Sequence, residues 1–482
     1  MRRASVRSFI SGSETMKHKG FYIILFVLTV VLLAFPVMQQ HVKLFKIRPL
    51  HGVTVTTEQP KFSLESFMNG SFQKQEDQYL SENIGFRETF VRCYNQLTWS
   101  LFRKTQNKTL YVNDDNWIFN NYCIQHHYRQ FIYDYGESNE VVIKRMRSSA
   151  LMFCQLQEIL KEYGVSIFVC LAPGKDMVCA EQIPEKSDFD NPPCVLAIEY
   201  FPPLFDSLGI NYLNLSDYFL QIKDTVSYPL FLKSSSHWSN LAAAYVSDTL
   251  FHYMEALSGL NLHDLRYSKP YLAPTRVPDS DLEDVMNLLF PIETKTNYYT
   301  DVTPNDDTTA IKPKWLVVGD SYYWEFQYNL PLDQLFDSYH YWYYNNTIFN
   351  DPDHSNVHQV DILEELLSTD IVMLLYCPYN LYDLNHEFLT KALLSFYYDD
   401  EIVVQKLEEI KNYIRSIPEW YAGVEQQAAQ NGQNVEDALD NHARYLLYKM
   451  PGSYFEEFNE AKAASRRSSR IVEGELVRNR RN

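Results

Sequence analysis

Residues 315–321 read WLVVGDS, and this stretch decides the fold. A short apolar run of this kind is expected of a buried strand. Gly319 then lets the backbone turn tightly, and the residues after Asp320 and Ser321 are compatible with a helix. A serine so placed sits on a strand-to-helix turn with its hydroxyl at the carboxyl edge of a sheet. Its own N–H, at a helix N-terminus, can help hold a developing oxyanion. Four more apolar runs read as strands: Val165 to Ala172 (VSIFVCLA), Ile210 to Leu215, an aromatic run near Tyr339 to Tyr344, and Ile371 to Tyr376 (IVMLLY). A helical run around Met146 to Glu162 precedes the first of them. Strands alternating with helical segments predict an α/β fold, a doubly wound parallel sheet with helices on both faces. In such sheets sites form at the carboxyl ends of the strands.

Before this region, Phe21 to Met38 (FYIILFVLTVVLLAFPVM) carries no charge. At ~1.5 Å per residue it nearly crosses a ~30 Å hydrocarbon layer. Lys17 and Lys19 precede it, with Arg2, Arg3 and Arg7 further out. The positive-inside rule then keeps residues 1–20 in the cytoplasm and exports everything after a transmembrane helix at 21–38. No small-x-small cleavage site follows, which favours an anchor over a cleaved leader. Residues 39–59 read as a linker, 60–395 as the main domain, with helical sequence near Phe72 to Phe102 at its start. Residues 396–450 read as a C-terminal helical extension. There Val403, Leu407, Ile410, Ile414 and Ile417 mark one helix face ended by Pro418, and Asn434 is the cap of a second helix. Residues 451–482 are basic and lack apolar periodicity, the pattern of a disordered tail.

The net charge of −18 argues against broad nucleic-acid binding, which needs a basic face. Export permits disulfides, and Cys179 and Cys194 flank a proline- and acid-rich loop; pairing and free thiols both remain open. His126 and His127 are adjacent and cannot easily face one metal, so no metal site is expected. A serine nucleophile needs a base, for which histidine is the usual choice. Of thirteen histidines, His237 in SSSHWS (234–239) stands just before the apparent helix NLAAAYVSDTLFHYM, which Ser239 could cap.

Six segments in order resemble the alginate O-acetyltransferase (AlgX/AlgJ-like) family, which has a circularly permuted SGNH-hydrolase-like domain. They are GSFQKQEDQYLSENIGFRETFVRCYNQL at 70–97, YVNDDNWIF at 111–119, LAPGKDMVCAEQIPE at 171–185, SSSHWS at 234–239, VVGDS at 317–321 and YNLYDL at 379–384. Histidine precedes serine here, as the permuted family requires. The resemblance implies Ser321 as nucleophile, carrying an acetyl group to a sugar hydroxyl, and His237 as general base. It implies no cofactor, a polysaccharide acceptor, and a membrane-bound O-acyltransferase partner as the acetyl source. The corresponding place would be the inner membrane, single-pass, with the main domain periplasmic.

Asp320 belongs to the motif but reads as a turn-stabilising residue. The chain departs from the family at Ser235, where an aspartate two residues before the histidine would orient the imidazole; losing such a group can lower turnover ~10⁴-fold. It departs again at Tyr379, where arginine is common. Hydrolysis of acetyl esters, or a weakly active carbohydrate-binding scaffold, are the competing expectations. Trp238, Tyr322, Tyr379 and Asn380 are the expected substrate contacts. Most of the aromatic run after Ser321 is expected in the core, though aromatic rings also stack on apolar sugar faces.

Overall fold

The computed structural model describes residues 4–52, 57–130, 137–185, 193–292, 296–397, 400–431 and 434–449. The basic tail expected at 451–482 lies outside them. The chain divides into two compact units, Met1–Val112 with Leu282–Thr294, and Asn113–Asp281 with Lys295–Asn482. The boundary therefore falls near Val112 rather than at residue 60. Residues 60–112 join the first unit because Arg92 donates to the Arg48 and Pro49 carbonyls and Asn95 to the Met286 carbonyl.

In the first unit, helix α1 (Ala4–Val42) contains one segment, Gly20–Val42, long and apolar enough to cross a membrane. The stretch expected to be helical near 72–102 is two helices, Ser71–Asn83 and α2 (Arg87–Phe102). Gly85 lies between them. A side chain at Gly85 would place its Cβ 2.1 Å from the Pro36 carbonyl oxygen, so only glycine permits this approach to α1.

The second unit holds a six-stranded sheet. Its strands are β1 (Ser166–Leu171), β2 (Tyr212–Asn214), β3 (Lys314–Gly319), β4 (Ser338–Tyr343), β5 (Thr347–Phe349) and β6 (Ile371–Tyr376). Their order is β5-β4-β3-β6-β1-β2; all neighbours are parallel except β5 with β4. Five strands match the apolar runs in the sequence. The three-residue β5 is too short to carry a pattern.

Side chains alternate between the faces, as the pleat requires. Val169, Val318 and Leu374 pack with helix α3 (Asn139–Glu162), while Phe168, Val317 and Leu375 pack with helix α4 (Asn240–Ser258). Both faces are thus covered and the fold is α/β with a mostly parallel sheet, as expected. The C-terminal helices Asp400–Ser416, Pro418–Asn431 and Val435–Lys449 add Ile414, Val424 and Leu439 to the α3 face. The first of these helices stops just before Pro418, as expected, and Pro418 opens the middle helix, where a missing N–H costs nothing. All seven cysteines are free, including Cys179 and Cys194.

Strands β3 and β6 approach closely at Gly319. A Cβ there would lie 2.3 Å from the Leu375 carbonyl oxygen. Gly319→Ala should therefore force the two central strands apart. The expected loss is about 1–3 kcal/mol of unfolding free energy, read as a lower urea midpoint for the mutant at unchanged m-value.

Candidate active site

At the carboxyl end of β3, Asp320 begins a single helical turn, Ser321–Tyr323. Its carboxylate accepts from the Tyr322 N–H (3.1 Å), the Cys377 N–H (2.8 Å) and Asn380 Nδ2 (2.9 Å). The Asp320 carbonyl accepts from the Tyr341 hydroxyl at 2.5 Å. Asp320 is fully buried and ties the ends of β3, β4 and β6 together. Ser321 is left half-exposed on this platform.

His237 arrives from the loop before α4. Its Nε2 lies 2.8 Å from Ser321 Oγ. Sequence separates these residues by more than eighty positions, and the fold brings them into hydrogen-bond contact. The loop is pinned by its own serines to the segment 278–281. Ser234 Oγ donates to the Asp279 carbonyl (2.9 Å) and Ser235 Oγ to the Pro278 carbonyl (3.4 Å). The Ser236 N–H donates to Asp281 Oδ1 at 2.9 Å, and the Ser236 hydroxyl donates to Asp281 Oδ2. The α4 end of the loop is held as well, by the Asn240 N–H on Asp279 Oδ1 (3.2 Å).

Ser235, expected to stand in for an aspartate beneath the imidazole, does not face the ring. Its Oγ accepts the backbone N–H of His237 (3.1 Å) and is otherwise turned to Pro278. Three other groups surround His237 Nδ1: Ser236 Oγ at 3.4 Å, Glu325 Oε1 at 3.5 Å and Asp281 Oδ2 at 3.6 Å. Because the Ser236 proton is engaged by Asp281, its oxygen is free to accept from Nδ1–H. That assignment leaves Nε2 bare to accept the Ser321 proton. A hydroxyl thus links imidazole to carboxylate, with the carboxylate itself within electrostatic reach.

The two acids differ in setting. Glu325, one helical turn beyond Ser321, is fully buried, and neither of its oxygens completes a hydrogen bond among the described residues. Burial pushes its carboxyl well above the ordinary range, and the charges of Asp279 and Asp281 push the same way. Its own backbone N–H and, less so, the nearby Trp238 indole pull the other way without overcoming burial, and the balance favours the neutral form. Asp281 is partly exposed and accepts two hydrogen bonds from Ser236. Asp279 behind them is raised by burial, against the pull of its Asn240 and Tyr299 hydrogen bonds.

Two of the four expected substrate contacts, Trp238 and Tyr322, are buried. Trp238 is fully buried, its ring among Phe219, Tyr322 and Phe326. Tyr322 is 3% exposed; its ring meets His237 edge-on and its hydroxyl donates to the Ser236 carbonyl at 3.2 Å. Both support the histidine from behind. Tyr379 and Asn380 are half-buried at the rim, but their donors are used internally. The Tyr379 hydroxyl donates to Asp176 Oδ1 (2.5 Å), and Asn380 Nδ2 serves Asp320 and the Tyr344 hydroxyl (3.2 Å). Tyr323, Phe326, Tyr341 and Trp342 are core, while Trp324, Tyr343 and Tyr344 are half-buried and Tyr328 is exposed.

Sequence reasoning missed Asp281, Ser236 and Glu325. Glu325 carried a signal, as a lone acid inside YYWEFQY. Asp281 carried none, since it is distant in sequence and one of several acids in PDSDLED. Lys175 was missed as well. Its Nζ is fully buried and donates to three carbonyls, Ser235 (2.6 Å), Ile118 (2.7 Å) and Lys233 (3.1 Å), under the loop that carries His237. The neighbouring Asp176 holds His126 Nδ1 at 2.7 Å.

No protein-family model matches this chain, and no curated protein matches it. Among solved structures it is similar to the O-acetyltransferase domain of Pseudomonas putida AlgJ, with TM-score 0.39 and 15% identity over 57% of this chain and 92% of that one. It is similar to Pseudomonas aeruginosa AlgX, with TM-score 0.39 and 15% identity over 59% and 66%. It is also similar to Bacillus cereus PatB1, solved with a sulfonyl adduct, with TM-score 0.36 and 13% identity over 57% and 99%.

Burial pushes the Lys175 ammonium down to about 8. Below that pH the folded state bears the full cost of an interior charge; between about 8 and the ordinary lysine value of 10.5 that cost is relieved and this group's contribution to stability rises. Positioning runs the opposite way, because a neutral amine has two protons for three carbonyls. Activity of the site should fall above about pH 8 without a matching fall in melting temperature. Lys175→Met should lack that alkaline limb; an unchanged limb in the mutant would remove Lys175 from the account.

Proposed function

We propose that this protein is a membrane-anchored O-acetyltransferase that passes an acetyl group from Ser321 to a hydroxyl of an exported or cell-envelope polysaccharide. The observation that carries the reading is the 2.8 Å contact of Ser321 Oγ with His237 Nε2, at the carboxyl ends of the central strands, with a carboxylate behind the imidazole. His237 Nε2 takes the Ser321 proton as Oγ attacks the acetyl carbonyl, and returns it to the departing oxygen of the donor. The acceptor hydroxyl then loses its proton to Nε2 and attacks acetyl-Ser321. Collapse releases the ester, and Oγ recovers the proton. The Ser321 N–H, at the start of its turn, supplies a donor for the oxyanion in both halves.

Asp281, through Ser236 and across 3.6 Å, stabilises the imidazolium in place of the aspartate missing at Ser235. A carboxylate in this place speaks against reading the chain as an inactive scaffold. The half-buried Trp324, Tyr343 and Tyr344 offer ring faces for a sugar. The apolar segment of α1 fits a single-pass inner-membrane anchor with the catalytic unit periplasmic. There a membrane-bound O-acyltransferase would supply the acetyl group.

The test offers the full chain a chromogenic acetyl ester with and without oligosaccharide acceptors. Ser321→Ala should lose turnover by ~10³-fold or more. Transfer to sugar supports this reading, hydrolysis alone makes the protein an esterase, and equal rates in wild type and Ser321→Ala exclude both.

The two acids are separable. Asp281→Asn should lower turnover ~10²- to 10⁴-fold, the range expected when a charge behind the base is lost. Glu325→Gln replaces one neutral group by another and should stay within a few-fold of wild type. Because the folded carboxyl of Glu325 is raised, its contribution to stability is kept below its unfolded value of 4.5 and lost as pH rises. The glutamine variant should therefore melt higher than wild type at neutral pH, with the gap closing near pH 4.

A further inference from the structure

Helix α2 is inside out. At ~100° per residue, Phe90, Tyr94, Leu97 and Leu101 share an arc of about 60°, and Arg92 and Trp99 lie opposite. The apolar arc is exposed, with Phe90 at 54%, Tyr94 at 59%, Leu97 at 58% and Leu101 at 64%, while Arg92 is 7% and Trp99 6% exposed. The inner face is polar because it ties down backbone. Arg92 donates to the Arg48 carbonyl (2.8 Å) and the Pro49 carbonyl (2.6 Å), and Asn95 to the Met286 carbonyl (2.9 Å). A soluble surface helix has the reverse arrangement, since exposed apolar patches of this kind mark an interaction face.

The position of the helix identifies its partner. Gly85 sits against the Pro36 carbonyl and the Gln39 side chain of α1. The Phe86 ring stacks on Phe35 at 5.1 Å and meets Phe90 at 6.5 Å. Pro36 lies within the Gly20–Val42 segment, near its exit end. If that segment spans a bilayer, α2 starts at the boundary between hydrocarbon and headgroups, and its apolar arc begins at the ring next to the anchor. Arg87 and Lys104 bracket the arc in sequence, where their long stems can reach headgroups.

We infer that α2 lies in the outer leaflet of the membrane crossed by α1, with its Phe90–Leu101 face among acyl chains. The inference rests on the anchor reading above. The stripe is continuous with the anchor, and lipid demands no matching shape, which is why a bilayer fits this face better than a protein.

The test uses the full chain in vesicles of phosphatidylethanolamine and phosphatidylglycerol. Nitroxides are placed singly by Leu97→Cys, Val30→Cys and Leu220→Cys in a Cys93→Ser background, since Cys93 is the exposed thiol among the described residues. Power saturation compares collisions with oxygen, which enters lipid, and with a water-soluble nickel chelate. Oxygen should exceed chelate several-fold at position 97 and at position 30, and the order should reverse at position 220, on the second unit. Oxygen at 30 with chelate at 97 overturns the interfacial helix but leaves the anchor. Chelate dominance at 30 overturns the anchor itself. Shielding of position 97 from both reagents means that protein, a second copy or another chain, covers the stripe, and also overturns the inference.

Discussion

The close passage of β3 and β6 at Gly319 is the constraint on which the site depends. It lets the Asp320 N–H reach the Leu375 carbonyl and the Asp320 carboxylate reach the Cys377 N–H. One buried carboxyl group with three donors then fixes the ends of neighbouring strands. An unpaired carboxylate in such a place would be strongly unfavourable; a fully satisfied one specifies a single geometry. Ser321 inherits that geometry because it is the next residue.

A second lock holds His237. The loop bearing His237 has little regular structure of its own, and four kinds of contact replace it. Its serines grip residues 278–281, Lys175 gathers its carbonyls from below, Tyr322 and Trp238 wall the ring, and Ser239 caps α4 through the Ala242 N–H. Polar groups that are buried here are mostly paired. Among the described residues the exceptions here are Trp238 Nε1, Asn240 Nδ2 and the Glu325 carboxyl, which sits beside the imidazole without completing a hydrogen bond.

The sheet was legible in the sequence because strands buried on both faces appear as unbroken apolar runs. Runs such as VSIFVCLA and IVMLLY leave little else to read. The β5 strand was hidden by its length, and the two helices before residue 103 were merged because nothing local reveals that Gly85 must meet Pro36. Ser321 and His237 were legible through their positions at strand-to-helix and loop-to-helix junctions, together with the family resemblance. The acids were not, because Asp281 reaches the imidazole only after the chain has folded back by more than forty residues. Trp238 and Tyr322 misled for a related reason: adjacency to a reactive residue in sequence places a side chain on the opposite side of the backbone as readily as beside it.

The pairing of Ser234, Ser235 and Ser236 with residues 278–281 bears on how such sequences are sorted. A filter that demands an acid two places before the histidine would file this chain among pseudoenzymes. Here a carboxylate from another stretch of backbone, Asp281, lies 3.6 Å from His237 Nδ1, and the serine hydroxyls stitch the two stretches together. A motif letter and the arrangement it usually provides are separable, and only the folded surroundings of the imidazole tell whether the second stands without the first.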